Sequence, residues 1–217
     1  MRNDKLLIFD CDGTLVDSEG IANEIFLKGV NALGIPVTQD EAWEHFPGTS
    51  MALCIKYVED TYEVKLPEGF VERQRAIQRT EFAKRLKPIR GIHETLLQLA
   101  QYPVKCVASN GPMDVIKANL NTTGLSPYFE ERIFSAYTLN IWKPRPDLFL
   151  HAAETLGYDS VHSIVIEDSV AGMQAGINAG MTVLGYVPPE HPYEAKIEGV
   201  IEFTEMSQLP ELIESLT

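Results

Sequence analysis

Short apolar runs alternate with stretches of helical period along most of this chain, and that alternation constrains the fold more than any other feature. LLIF at 6–9, VKCVA at 104–108, IFSA at 133–136, IVI at 164–166 and TVLGY at 182–186 each have the length of a buried strand. Between the later runs stand MDVIKANLNTTG from Met113, PDLFLHAAETLG from Pro146 and VAGMQAGINAG from Val170, each closing on a glycine suited to a helix C-terminus. The pattern predicts an α/β fold, a Rossmann-like parallel sheet with helices on both faces, and such sheets bind ligands beyond the C-terminal ends of their strands. After Pro188 it predicts a loop, a short strand near Val200 to Phe203 and a final helix.

One interval breaks the alternation. Between Phe9 and Val104 nothing reads as a core strand, and helical segments follow one another instead: Ile21 to Gly34, one opening at Thr38, one at Ser50 and a charged stretch from Pro67 to Leu86. Thr38 and Glu41 have the spacing of a capping box. With 217 residues, 45% of them hydrophobic, the chain can build a core domain and a smaller companion. We therefore expect residues 17–86 to form a small α-helical cap domain over the sheet edge, and residues 1–16 with 87–217 to form the α/β core.

A net charge of −13 argues against a nucleic-acid surface and against anionic lipid, leaving a small metabolite as the expected partner. The three cysteines, Cys11, Cys54 and Cys106, are scattered and form no zinc spacing, so buried reduced thiols are expected. The apolar run within MRNDKLLIFD is too short for a signal peptide or a membrane span, which predicts a cytoplasmic protein.

Chemistry-bearing residues collect at the predicted strand ends. LLIFDCDGTLVDS delivers Asp10 to the end of the first strand, and Gly13 permits a tight turn, so Asp10 and Asp12 can converge on one divalent cation. SIVIEDSVAG ends a second strand in Glu167 and Asp168; clustered acids repel unless a cation neutralises them, and with no soft ligands nearby Mg²⁺ is the natural occupant. Ser109 and Asn110, before the helix that starts near Pro112, offer a hydroxyl, an amide and helix N–H groups to an anion. Lys143 precedes a Pro-x-Pro segment expected to hold the chain extended, which suggests a positioned cation able to neutralise Asp10 and a phosphate oxygen. Taken singly, these features also read as an Asp-rich turn, a helix N-cap, a loop connector and a surface lysine.

In this order, the four segments resemble the haloacid dehalogenase-like hydrolase superfamily over nearly the whole chain, and the insertion after the first motif resembles the helical cap of the branch containing β-phosphoglucomutase and phosphoglycolate phosphatase. SNGP, IWKPRPDLFLHAAETLG and IEDSVAGMQAGINAGM are most similar to bacterial 6-phosphogluconate phosphatase-type proteins. The resemblance implies a Mg²⁺-dependent phosphatase acting on a sugar phosphate or sugar-acid phosphate through an aspartyl-phosphate. Asp10 would be nucleophile and metal ligand. Asp12 would be general acid and base, with its main-chain carbonyl on the metal. Asp168 would ligate the metal directly and Glu167 through water, while Ser109 and Lys143 hold the phosphoryl group and Lys143 also neutralises Asp10; Asn110, beside Ser109 in the anion cradle, is a further candidate for binding substrate.

Dehalogenases of the superfamily lack the second aspartate, which Asp12 supplies here, and the Schiff-base lysine of the phosphonatases has only Lys28 and Lys56 as candidates by presence. A mutase is an alternative. Its pattern carries a histidine where this chain has Ala22 and Gly-Arg-Ser where it has Gly48-Thr49-Ser50. A second alternative is a non-catalytic binding module that keeps the fold. In the cap, Glu19, Asn23, Phe46, Thr49, Arg73, Arg75, Gln78 and Arg79 are candidate substrate contacts by position, although the arginines also read as a solvated helix face.

Overall fold

In a computed structural model, the structure describes residues 5–46, 51–102, 104–189 and 197–216. In chain order, β1 (Leu6–Phe9) is followed by α1 (Glu19–Asn31), α2 (Gln39–His45), α3 (Met51–Tyr62), α4 (Phe70–Arg85) and α5 (Ile92–Gln98). Then come β2 (Lys105–Ser109), α6 (Met113–Thr122), α7 (Ser126–Phe129), β3 (Ile133–Ser135), α8 (Ala136–Leu139) and α9 (Asp147–Thr155). The chain continues through β4 (Ser163–Glu167), α10 (Val170–Asn178), β5 (Thr182–Tyr186), β6 (Val200–Phe203) and α11 (Leu209–Ser215). It divides into two compact units, Met1–Asp17 with Lys87–Thr217, and Ser18–Leu86.

The first unit is built on a six-stranded sheet in the order β3-β2-β1-β4-β5-β6, with every neighbouring pair parallel. The chain winds outward from β1 to one side and then returns to the other, so the C-terminal end of β1 is the switch point where such sheets open a crevice. Phe9 lies opposite Val107 of β2 and Ile166 of β4, which brings the strand ends to one level. The predicted strands are all present, and the three predicted helices end where Gly124, Gly157 and Gly180 stand with positive φ.

Side-chain alternation assigns the two faces of β1. Leu6 and Ile8 join Cys106, Ala108, Val165 and Val183 in a core closed by Leu148, Phe149 and Ala152 of α9 and Met173 and Ala175 of α10. Phe9 points to the opposite face, where its ring meets Phe129 of α7 edge-on at 5.7 Å. Helix α10 approaches the sheet closely because Gly176 has no side chain: a Cβ there would lie 2.6 Å from Cγ2 of Val183.

The second unit has a core of its own. Phe26 and Val30 of α1 pack with Phe46, Cys54, Val58 and Phe70, and the Phe26 ring meets those of Phe46 and Phe70 edge-on at 5.0 and 5.8 Å. The capping box forms: the Thr38 hydroxyl accepts from the Glu41 N–H while the Glu41 carboxylate accepts from the Thr38 N–H. Among the described residues no helix is long and apolar enough to cross a membrane. All three cysteines are buried and free.

One local expectation fails. The segment after Lys143 does not run extended, because the Arg145 N–H donates to the Trp142 carbonyl at 3.1 Å and closes a turn, and the Lys143–Pro144 peptide is cis.

Replacing Gly176 by leucine is expected to push α10 off the sheet and lower stability by roughly 1–3 kcal/mol. Urea unfolding of the variant checks this, and an unchanged midpoint would mean that α10 and β5 are not in such close contact.

Candidate active site

Asp10 leaves the end of β1 with only 7% of its surface exposed, and its N–H donates to the Ile166 carbonyl at 2.9 Å, continuing the ladder with β4. The chain then turns back at once. Leu15 and Val16 donate N–H groups to the Cys11 carbonyl, and Gly13, at φ 83°, donates to the Val16 carbonyl. This turn lies directly against the second acidic strand end: a Cβ at Gly13 would stand 2.1 Å from Oδ2 of Asp168. Thr14, fully buried, donates its hydroxyl to Oδ1 of Asp168 at 2.6 Å and so ties the two motifs together.

Lys143 is the hub of the site. Its ammonium is buried and donates to Oδ1 of Asp10 at 2.5 Å and to Oε1 of Glu167 at 2.7 Å, with the Phe149 ring centroid 4.9 Å away. Its main-chain N–H donates to the side-chain carbonyl of Asn110 at 3.0 Å. The other oxygen of Glu167 accepts from the N–H and the hydroxyl of Ser169, at 2.6 and 2.9 Å, and the same hydroxyl accepts from the Gly172 N–H to cap α10. Glu167 fits only because residue 172 is glycine, since a Cβ there would fall 1.8 Å from its carboxylate.

The electrostatics are unbalanced. Burial, with Glu167 and Asp12 adding to it, pushes the Asp10 carboxyl up to about 8 despite the opposing pull of Lys143. For Lys143, burial disfavours the charge, but Asp10 and Glu167 outweigh it and hold the ammonium well above the ordinary lysine range. One buried cation thus faces two acids, with Asp12 and Asp168 close by in sequence, and Asp10 gives up its proton readily only if more positive charge stands beside it. A further cation is the physical complement.

Opposite this cluster, Ser109 ends β2 with its hydroxyl accepting from the Gly111 N–H at 3.0 Å. The Gly111 carbonyl in turn accepts from the buried Ser135 hydroxyl, 2.6 Å away at the end of β3. Asp12 is half-buried, and its Oδ1 accepts from the side-chain amide of Asn119 on α6 at 3.4 Å.

The structure therefore joins Asp10, Lys143 and Glu167 directly, Asn110 through the Lys143 main chain, and Asp168 through Thr14. Thr49, with Gly48 and Ser50, lies outside the described residues. Phe46, expected as a candidate contact, is instead 2% exposed in the core of the helical unit. Arg73 donates to the Glu68 carbonyl. Lys28 pairs with Glu24 and Lys56 with Asp60 one helical turn away, as exposed helix pairs do. Thr14, Ser135 and Asn119 belong to these contacts without a motif in the sequence that announces them.

The sequence matches the haloacid dehalogenase-like hydrolase family over residues 7–186. The chain belongs to that family. It is 35% identical to the 6-phosphogluconate phosphatase of Escherichia coli (strain K12), covering 98% of this chain and 96% of the relative. It is 30% identical to hexitol phosphatase B of Escherichia coli (strain K12), covering 94% and 92%. A crystal structure of a hydrolase of the family from Deinococcus radiodurans R1, with bound phosphate and sodium, superposes with a TM-score of 0.79 at 26% identity, covering 100% and 97% of the two chains. The chain is accordingly a phosphoric monoester hydrolase of this family.

Replacing Lys143 by methionine strands Asp10 and Glu167 without their cation. In a chelator-containing buffer the variant is expected to lose roughly 3–5 kcal/mol of stability. Denaturant unfolding at neutral pH measures it, and a loss below about 1 kcal/mol, the range of an exposed ion pair, would mean that solvent already screens the cluster.

Proposed function

We propose that the protein is a Mg²⁺-dependent phosphatase that hydrolyses a sugar-acid phosphate such as 6-phosphogluconate through an aspartyl-phosphate at Asp10. The observation that carries the reading is the buried Lys143 ammonium held between Asp10 and Glu167 at the switch point of the sheet. A lysine so placed favours the ionised form of Asp10, which is the nucleophilic form.

The donors available to a metal are the carboxylates of Asp10 and Asp168 and the main-chain carbonyl of Asp12. All are oxygens, as a hard cation requires. Among the described residues no three His, Cys, Asp or Glu side chains make a metal cage by themselves. Mg²⁺ is usually held by one or two carboxylates together with water and substrate phosphate, and Asp10 and Asp168 would supply the carboxylates. When bound, the ion would neutralise and orient the phosphoryl oxygens. Glu167 holds Lys143 with one oxygen and accepts from Ser169 with the other, and the first oxygen keeps a lone pair for a water on the metal, the place proposed for it.

In the first half-reaction a carboxylate oxygen of Asp10 forms a bond to phosphorus as the ester P–O bond breaks, and Asp12 gives its proton to the departing alkoxide. In the second, Asp12 takes a proton from water as the water oxygen attacks phosphorus. The bond to Asp10 breaks, its carboxylate is restored and inorganic phosphate leaves. Ser109, Asn110 and Lys143 face the equatorial oxygens, where phosphoryl transfer calls for alignment and charge compensation.

The substrate class rests on similarity to 6-phosphogluconate phosphatase across nearly the full length of both chains, the helical unit included. On the same reading the helical unit is the substrate-selecting cap and Thr49 one of its contacts. The net charge of −13 supports a small metabolite, and not nucleic acid or membrane, as partner, and a cytoplasmic location is part of the reading.

Phosphate release across a panel of sugar phosphates, sugar-acid phosphates and phosphoglycolate tests the proposal. Turnover should require Mg²⁺ and vanish in EDTA, 6-phosphogluconate should lead neutral hexose phosphates, and a preference for the latter would overturn the substrate class. Asp10→Asn should lower kcat by about 10⁴-fold or more while the circular dichroism spectrum stays unchanged. Substantial residual turnover would remove Asp10 from the nucleophilic role.

A further inference from the structure

Helix α6 turns a stripe made of Ile116, Asn119 and Leu120 into the core, and all three are buried. An amide at such a position is costly unless its hydrogen bonds are satisfied, and leucine would fill the site with less penalty. The Asn119 amide nitrogen lies 3.4 Å from Oδ1 of Asp12. The NH₂ group is the end of the amide that faces Asp12, and Oδ1 can accept from it whether or not Oδ2 carries a proton.

The other oxygen of Asp12 has a different neighbour. A Cβ at Gly111 would stand 3.7 Å from Oδ2 of Asp12 and 3.3 Å from the Ser109 hydroxyl. Oδ2 is therefore turned toward the Ser109–Gly111 turn, where the phosphoryl group would lie. The two oxygens of Asp12 thus occupy unlike surroundings, one against α6 and one against the anion cradle.

We propose that Asn119 is a positioning residue for Asp12: it holds Oδ1 against α6, so that Oδ2 is the oxygen that passes a proton to the leaving alkoxide and later takes one from water. This rests on the phosphatase reading, in which Asp12 is the general acid and base. A separation of 3.4 Å is long for a hydrogen bond, as such contacts often are before substrate tightens them. The Asp10–Val16 turn is closed by its own main-chain hydrogen bonds, from Leu15 and Val16 to Cys11 and from Gly13 to Val16, so loss of the Asn119 amide is expected to act on the carboxylate's orientation.

The discriminating property is the need for an acid. An alkoxide leaves only when protonated, whereas p-nitrophenolate leaves without help. In Asn119→Leu, kcat/KM for the best sugar phosphate of the panel should fall by about 10-fold or more, against less than about 3-fold for p-nitrophenyl phosphate. Asn119→Ser, whose short hydroxyl does not reach Asp12, should give the same contrast and decides the matter if the leucine variant folds poorly. Adding Asn119→Leu to Asp12→Asn should leave turnover of p-nitrophenyl phosphate unchanged, because the group it acts through is already gone. An equal fall on both esters, no fall on either, or additive loss in the double variant would overturn the role of Asn119 while leaving the phosphatase reading intact. Failure of the wild-type protein to release phosphate from any ester would overturn both.

Discussion

A buried ammonium between two buried carboxylates is the interaction on which the rest of the site depends. Taking ionisable groups out of water is unfavourable unless each finds partners at hydrogen-bond distance, and here each does. Lys143 meets Asp10 and Glu167, Glu167 meets Ser169, and the Lys143 main chain meets Asn110. The arrangement then dictates its neighbours. Residue 172 has to be glycine for the Glu167 carboxylate to fit beside α10, and Ser169 has to serve at once as helix cap and as donor.

The sheet explains why these groups meet at all. With β1 flanked by β2 and β4, three strands reach the switch point side by side and end in Asp10, Ser109 and Glu167. Segments far apart in sequence are brought to one level by register alone, and the turn at Gly13 folds the first acidic loop onto Asp168. A cluster of acidic groups is thereby built into a place that the packing on both faces of the sheet keeps rigid. Such a place suits a cationic metal and a transferring phosphoryl group together, because each offsets the other's charge.

Most of the architecture is legible because it follows from local patterning: runs such as LLIF and TVLGY have the length of buried strands, and the glycines after α6, α9 and α10 mark the helix ends. The Pro-x-Pro segment departs from its sequence expectation because the preference of isolated proline neighbours for extended chain gives way to a turn closed by Arg145 and Trp142. Within the site, the acids at the strand ends were visible as types, but their partners were not. Nothing in the order of residues says that Glu167 spends its oxygens on Lys143 and Ser169, since that depends on how closely α10 approaches β4. Asn119 escaped for the opposite reason: it stands within an ordinary amphipathic helix and has meaning only once Asp12 is placed beside it.

The strand end after Asp12 and the chain that returns before α5 run side by side. The Asp17 N–H donates to the Lys87 carbonyl, the Ile89 N–H donates to the Leu15 carbonyl, and Val16 bridges Pro88. Ser18–Leu86 therefore departs from and rejoins the α/β unit through a single two-stranded neck. Because loop-closure entropy changes only slowly with length, a neck of this kind lets the inserted segment lengthen, shorten or be exchanged with little penalty to the sheet. Changes within the helical unit can then be absorbed while the strand ends that carry Asp10, Ser109 and Glu167 stay in register, because those few backbone hydrogen bonds hold the neck on the α/β side.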